Sequence, residues 1–133
     1  MPAPVSDYFQ ITSCEEGGLL HTRWLRSVNP DEYRTGVRLV KELVLENNIR
    51  AWLTDSRKLN SVPFAEQQWL KREIAPAVVM TKLEKIARVF TEDVFHYIAF
   101  ENLTQVIIEE HRKTLLIGQF TSVDAALAWL QME

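Results

Sequence analysis

The stretch that most constrains this chain is Ile49-Arg50-Ala51-Trp52-Leu53-Thr54, which comes after Asn47-Asn48 and runs into Asp55. Ile49, Ala51, Trp52 and Leu53 are apolar without the strict alternation of a half-wetted strand. A run this continuous belongs to a strand covered on both faces, the situation of a central strand in a parallel sheet. Beyond it Asp55-Ser56-Arg57-Lys58-Leu59-Asn60-Ser61-Val62 is a mostly polar loop, and a helix opens beside Pro63 and continues through Trp69 and Leu70. In alternating α/β folds the loop after such a strand is the usual place for a site.

The flanking segments extend the same pattern. Tyr8 to Cys14 and Leu19 to Arg26 are rich in β-formers and surround Gly17-Gly18, which predicts an antiparallel hairpin. On its second strand Leu20, Thr22 and Trp24 share one face, and Leu19, His21, Arg23 and Leu25 the other. Asn29-Pro30-Asp31-Glu32 is a helix start, with Asn29 to cap, Pro30 at the first helical position and Glu32 at capping-box spacing. Tyr33, Val37, Val40, Leu43 and Val44 then form an apolar stripe that ends at Asn47-Asn48. In the helix from Pro63 the stripe is Leu70, Ile74, Ala77 and Val78, and Pro76 is expected to break or kink it. A strand over Lys85 to Phe90 leads through Thr91-Glu92-Asp93 into a helix patterned on Phe95, Ile98, Leu103, Val106 and Ile107. A last strand, Thr114 to Phe120, precedes a helix begun by Thr121-Ser122-Val123-Asp124, which docks through Val123, Leu127 and Leu130. The predicted order is ββαβαβαβα, an α/β fold with a mainly parallel mixed sheet and an N-terminal hairpin. Residues 1–7 read as a tail and 8–133 as one domain.

Composition excludes several classes of function. At 133 residues and 47% apolar the chain can bury a real core as a single domain. Its net charge of -3 supplies no basic footprint for nucleic acid. The start, Met1 to Asp7, lacks the basic and apolar regions of a signal peptide, and no run is long enough to span a bilayer, so no membrane insertion is expected. The single cysteine, Cys14, admits no internal disulfide, suits a reducing cytoplasm and is expected to be buried or on an edge strand.

The order of elements, with Ala51-Trp52-Leu53-Thr54-Asp55-Ser56-Arg57, Trp69-Leu70, Ile74-Ala75-Pro76 and the closing Phe120 and Ala125-Ala126-Leu127-Ala128-Trp129-Leu130, resembles the SpoIIAA-like or STAS domain family, especially its stand-alone STAS/SEC14-like members. The resemblance implies a bacterial, cytoplasmic, non-enzymatic module that binds a regulatory protein through the loop after the central strand. In anti-sigma antagonists of that family an Asp-Ser-Ser-Gly motif stands in this loop, and a serine in it is phosphorylated. Here Asp55-Ser56 matches the first half, but Arg57-Lys58 replaces Ser-Gly, so no phosphorylation is expected at Ser56 or Ser61. The wider resemblance also admits a small amphipathic or anionic, lipid-like ligand.

Asp55, Ser56, Arg57, Lys58, Ser61 and Trp69 are therefore the candidate contacts for a partner or an anion. Asp55 and the serines can equally cap the loop and the following helix, their commonest local role. Arg57 and Lys58, with the amides of the next helix start, can hold a phosphate or carboxylate, but no Gly-rich phosphate loop is present and two solvated basic side chains are the favoured reading. Trp69 falls at the border of its stripe: core or core-edge packing is the favoured reading for it as for the other tryptophans, and partial exposure, flanking the loop together with Trp52, is the alternative. His21, His96 and His111 show no metal-ligand spacing, and no Gly-x-Ser-x-Gly elbow occurs. No catalytic residue, metal or cofactor is expected, and a homodimer is left open.

Overall fold

A computed structural model describes residues 3–4, 6–91, 94–111 and 115–132. Six strands, β1 (Ala3–Pro4), β2 (Phe9–Cys14), β3 (Leu19–Trp24), β4 (Ala51–Asp55), β5 (Lys85–Val89) and β6 (Leu116–Phe120), lie in the sheet in their chain order. β1, β2 and β3 are antiparallel; from β3 to β6 the sheet is parallel. The α/β class, the hairpin and the central place of β4 agree with the sequence reading. Residues 1–7, read as a tail, contribute a strand, since Ala3 and Pro4 pair with Ile11 and Gln10. At the sheet edge a proline costs no ladder bond. The hairpin turns at Gly17, whose φ of +69° is a conformation glycine adopts without strain.

Helix α1 (Pro30–Glu46) starts as expected: Asn29 accepts from the Glu32 N–H, and the Glu32 carboxylate accepts in return from the Asn29 N–H. It buries Gly36, Val37, Val40 and Val44 and ends at Asn47, with Asn48 at a positive φ. The next helix does not break at Pro76. α2 (Phe64–Trp69) passes through one π-helical turn, Leu70–Ile74, into α3 (Ala75–Val78). In that turn the Ala75 N–H donates to the Leu70 carbonyl five residues back, which takes up the mismatch a proline ring causes at the following position. The wider turn rotates the residues after it, so Ala75 is buried where the stripe predicts Ala77, and Ala77 is exposed.

α4 (Val94–His111) and α5 (Val123–Leu130) complete the chain. Glu92, Asp93 and Thr114 lie outside the described residues, as do the side chains of Phe95 and His96. Ile98, expected on the buried stripe of α4, is 49% exposed. The inward face carries Leu103 and Ile107, as the pattern predicts, with Phe100 and Thr104 beside them. Ser122 caps α5 by accepting from the Ala125 N–H. No helix among the described residues is long and apolar enough to cross a membrane.

Topology explains the layering. When successive parallel strands are added in one direction, right-handed crossovers put every connecting helix on the same face. Here α1, α2–α3 and α4 share one face, over Leu20, Trp52, Ile86 and Ile117, which lie in one row across β3 to β6. α5 comes after the last strand and takes the other face, over Leu53, Ala87 and Val89. Each strand residue therefore belongs to one side by its parity, which divides the candidate site in two.

Candidate functional site

On the α5 side, at the end of β4, lies Asp55. Its side chain is only 4% exposed and is held by Arg57, whose Nε and second guanidinium nitrogen donate to the two carboxylate oxygens at 2.9 and 2.7 Å. The Arg57 backbone N–H also donates to it, and Arg23, opposite in the register, stands at 3.9 Å. Burial pushes the Asp55 pKa up. The hydrogen bonds from Arg57, with the charges of Arg57 and Arg23, outweigh that and hold the carboxyl below the ordinary aspartate range. His21 is half-buried nearby. Burial lowers its pKa more than Asp55 raises it, so it is neutral at pH 7.

The N-cap position of α2 is taken by Pro63, with no side-chain cap bond, and not by Asp55 or a serine. Asp55 bonds back to Arg57, as an Asx-type turn does. Asn60 clamps the loop to the β3–α1 connection: its side chain accepts from the Val28 N–H at 2.9 Å and donates to the Val28 carbonyl at 3.2 Å. Arg57, Lys58 and Ser61 are exposed. Asp55 and Ser56 are buried.

Trp69 is 3% exposed, in the core as the favoured reading has it and not partly exposed beside the loop. Its ring lies beneath Arg34 and Arg38, whose guanidinium carbons stand 5.0 and 5.3 Å from it. Arg34 also donates to Glu66 at 2.5 Å, joining α1 to α2. The border position of Trp69 is closed by long side chains of the neighbouring helix, which a single helix's pattern does not contain. Trp52 and Trp69 thus do not flank the loop as a pair: Trp52 lies in the sheet beneath the helices and donates to the Thr22 hydroxyl at 3.0 Å. Cys14, expected buried or on an edge strand, is exposed at the end of β2.

The helical side holds the larger feature, a cavity of about 430 Å³ between the sheet, α1, α2–α3 and α4. Its far wall is Val44, Leu83, Ile107 and Leu115, toward the start of the parallel strands. At their carboxyl ends the lining turns polar, with Thr54, Ser56, Arg88, Asn60, Ser61 and Gln67. Thr54 and Arg88 are neighbours in the register, with Gln119 next in the row. The Thr54 and Ser56 hydroxyls are 3.3 Å apart. Tyr33 also lines this space. Burial, with the charge of Glu66, drives its phenol pKa well up, so it stays protonated. Exposed Asn60, Ser61 and Ala99 in the lining bring the cavity to the surface.

Of the sequence candidates, only Ser56 and Ser61 line this cavity; Asp55, Arg57, Lys58 and Trp69 do not. Arg88 is not among those candidates, although the sequence carries a signal for it. It is the charged residue two positions after Ile86 in an otherwise apolar strand centre, on the face that alternation assigns to the core. Among the described residues no cluster of three His, Cys, Asp or Glu side chains is placed to hold a metal.

Burial also bears on modification. A phosphate on Ser56, 8% exposed, would need room beside Thr54 inside the protein. Ser61 is exposed and lacks the Ser-Gly context of the resembled motif. Protein isolated from its own host is expected to carry no phosphate on Ser56 or Ser61 by intact mass and tandem fragmentation. A substantial fraction mapped to either residue would restore the switch reading.

No family model, no curated protein and no solved structure matches this chain, so the site's own chemistry is what there is to read its function from.

Proposed function

We propose that this protein is a non-enzymatic binding module for a small amphipathic ligand, held with its apolar part in the cavity and its polar end at the carboxyl ends of the strands. The observation that carries this is the gradient along the cavity, from Val44, Leu83 and Leu115 at one end to Thr54, Ser56 and Arg88 at the other. Its volume falls in the usual range of ligand sites, ~300–1,000 Å³. Catalysis has little support, because among the described residues the cavity's titratable lining is Tyr33, Lys41 and Arg88, with no carboxylate or imidazole to act as a base near pH 7.

The resemblance to stand-alone STAS/SEC14-like domains and a cytoplasmic location belong to the same proposal. Docking of a regulatory protein on the loop after β4 is the other reading. Exposed Arg57, Lys58 and Ser61 favour it, while buried Asp55, Ser56 and Trp69 take three of its six contacts away.

Native mass spectrometry of the purified protein is expected to reveal a bound small molecule that denaturation releases. Leu103→Trp, which fills the cavity from α4, is expected to abolish that mass excess while leaving stability equal or raised by up to about 2 kcal/mol. A wild-type protein that carries nothing and takes up no amphiphile from a panel would overturn the reading.

A further inference from the structure

We infer that this protein forms a two-fold dimer, in which the outer edge of β6 pairs antiparallel with the β6 of a second copy and the two α4 helices lie side by side. The surface involved is the rim of the sheet, and its pairing does not depend on a ligand in the cavity.

β6 is the last strand of the sheet, and among the described residues no strand pairs with its outer side. The Leu116 N–H donates to the Glu84 carbonyl, and the Phe120 carbonyl accepts from the Phe90 N–H. A strand in a parallel ladder turns alternate residues to each neighbour. Leu116, Gly118 and Phe120 therefore bond to β5, and the N–H and C=O groups of Ile117 and Gln119 point away from it. Those four groups are spaced to meet a copy of themselves. With Gly118 on a two-fold axis, Ile117 stands opposite Gln119 of the second copy, and each such pair exchanges two hydrogen bonds. Leu116 then meets Phe120, apolar against apolar, and no like charges are opposed. Bare edges are ordinarily blunted by a charge, a proline or a short strand. The opposite edge is protected in this way, since β1 has two residues and one of them is Pro4. β6 has five, Leu-Ile-Gly-Gln-Phe, with neither charge nor proline.

The helix beside that edge is incompletely covered as well. The Gln119 side chain donates to the Tyr97 carbonyl and to the Glu101 carboxylate, which sets that side of α4 over the edge strand. α4 carries apolar residues round its circumference, with Leu103 and Ile107 toward the sheet and Tyr97 and Ile98 left 40% and 49% exposed. A helix that is apolar all round is ordinarily enclosed. The two-fold that pairs the strands keeps both α4 helices on one face of the joined sheet, antiparallel and adjacent, so a single operation serves the edge and the helix together. An unrelated extended segment would satisfy the edge and leave Tyr97 and Ile98 uncovered, which is why a second copy is the better occupant. Standard interfaces take ~800 Å² from each partner, more than five residues of strand edge supply, so the α4 contact is part of the pairing. On the other face of the sheet Leu116, 53% exposed, stands at the seam.

The test is sedimentation equilibrium of the intact protein across the micromolar range, with amide hydrogen exchange read residue by residue by NMR. Wild type is expected to reach twice the chain mass at the top of that range, with the Ile117 and Gln119 amides protected along with that of Gly118. Leu116→Lys brings a charge to the seam at a position already exposed, and is expected to weaken the dimer roughly tenfold or more. In the monomer it leaves, Ile117 and Gln119 exchange fast while Gly118, bonded to β5, stays protected, which also shows that the variant is folded. Leu45→Lys, at a leucine 62% exposed on α1, is expected to leave the dimer unchanged. Neither leucine lines the cavity, so bound ligand should be the same in both variants. Should Leu116→Lys not fold, dilution of the wild type reads the same amides in dimer and monomer. A wild type that stays monomeric overturns the inference, and protected Ile117 and Gln119 amides in that monomer would mean that another segment of its own chain covers the edge. A dimer in which those two amides exchange as fast as in the monomer, or one that Leu116→Lys leaves intact, places the interface elsewhere and overturns it too.

Discussion

Replacing Gly36 by valine is expected to cost the fold about 3 kcal/mol and to lower Tm by roughly 10 °C. Gly36 lies on the buried face of α1, where a Cβ would sit 2.5 Å from Cη2 and 3.1 Å from Cζ3 of Trp24. The indole is held by two other rings. Phe9 packs on it at 4.6 Å between ring centres, and Tyr33 stacks on it at 5.6 Å. Valine therefore has to push α1 off the sheet or force Trp24 out of its site. Gly36→Ala separates the two terms involved. It gains ~1 kcal/mol of helix propensity yet incurs the same Cβ contact, so a net loss near 1 kcal/mol is expected. Trp24 and Tyr33 both line the cavity, and ligand affinity should fall with stability. Urea unfolding followed by circular dichroism is the measurement. Gly36→Val within about 0.5 kcal/mol of wild type would mean that the Trp24 ring is mobile and the packing described above is wrong.

The second large effect is expected from Arg57→Met, and it depends on pH. In the wild type the folded-state pKa of Asp55 is depressed, so its contribution to stability is present above the unfolded aspartate pKa of ~3.9 and is lost as pH falls through the lower folded value. Methionine removes the guanidinium and its charge but leaves the carboxylate 4% exposed, with Arg23 at 3.9 Å as the remaining cation. Burial then dominates, and the folded pKa moves up. For an acid so shifted, stability is retained at low pH and lost as pH rises through the new value. The difference between wild type and variant should therefore be small near pH 3 and grow to about 2 kcal/mol at pH 7. The exposed side of Arg57, 40% accessible, keeps the ion pair itself partly screened, and most of this cost is the carboxylate left behind. Thermal unfolding at a series of pH values reads the effect. A gap independent of pH would show that Arg57 acts by packing and not through Asp55.

How much was legible can be traced through particular residues. The unbroken apolar run at Ala51 to Leu53 belongs to β4 because a strand between two others, with helices over both faces, has no wet side to mark. Asn29 and Glu32 write the start of α1 in four residues, since a capping box is satisfied locally. Pro76 was legible as a disturbance and not as its outcome. Whether a proline stops a helix or is absorbed by a π turn depends on whether the residues around it have a surface to pack on, and here Ala75 and Val78 do.

The amino-acid sequence by itself determined the class of fold, the order of its elements, the hairpin and the place of β4, because each arises from periodicity, turn chemistry and caps that act over a few residues. Only the tertiary structure decided the site. The polarity of Asp55, Ser56 and Arg57 marks the loop after β4, but strand parity then sends Asp55 to the α5 side and Thr54 to the other, dividing one stretch between two environments. Trp69 is buried by Arg34 and Arg38 from α1, and Arg88 meets Thr54 from a strand more than thirty residues away. The cavity has no sequence signature at all. It is space left where three helices cross one face of a sheet, and its size depends on how far α4 stands off β5 and β6, a sum of distant packing contacts that no local pattern encodes.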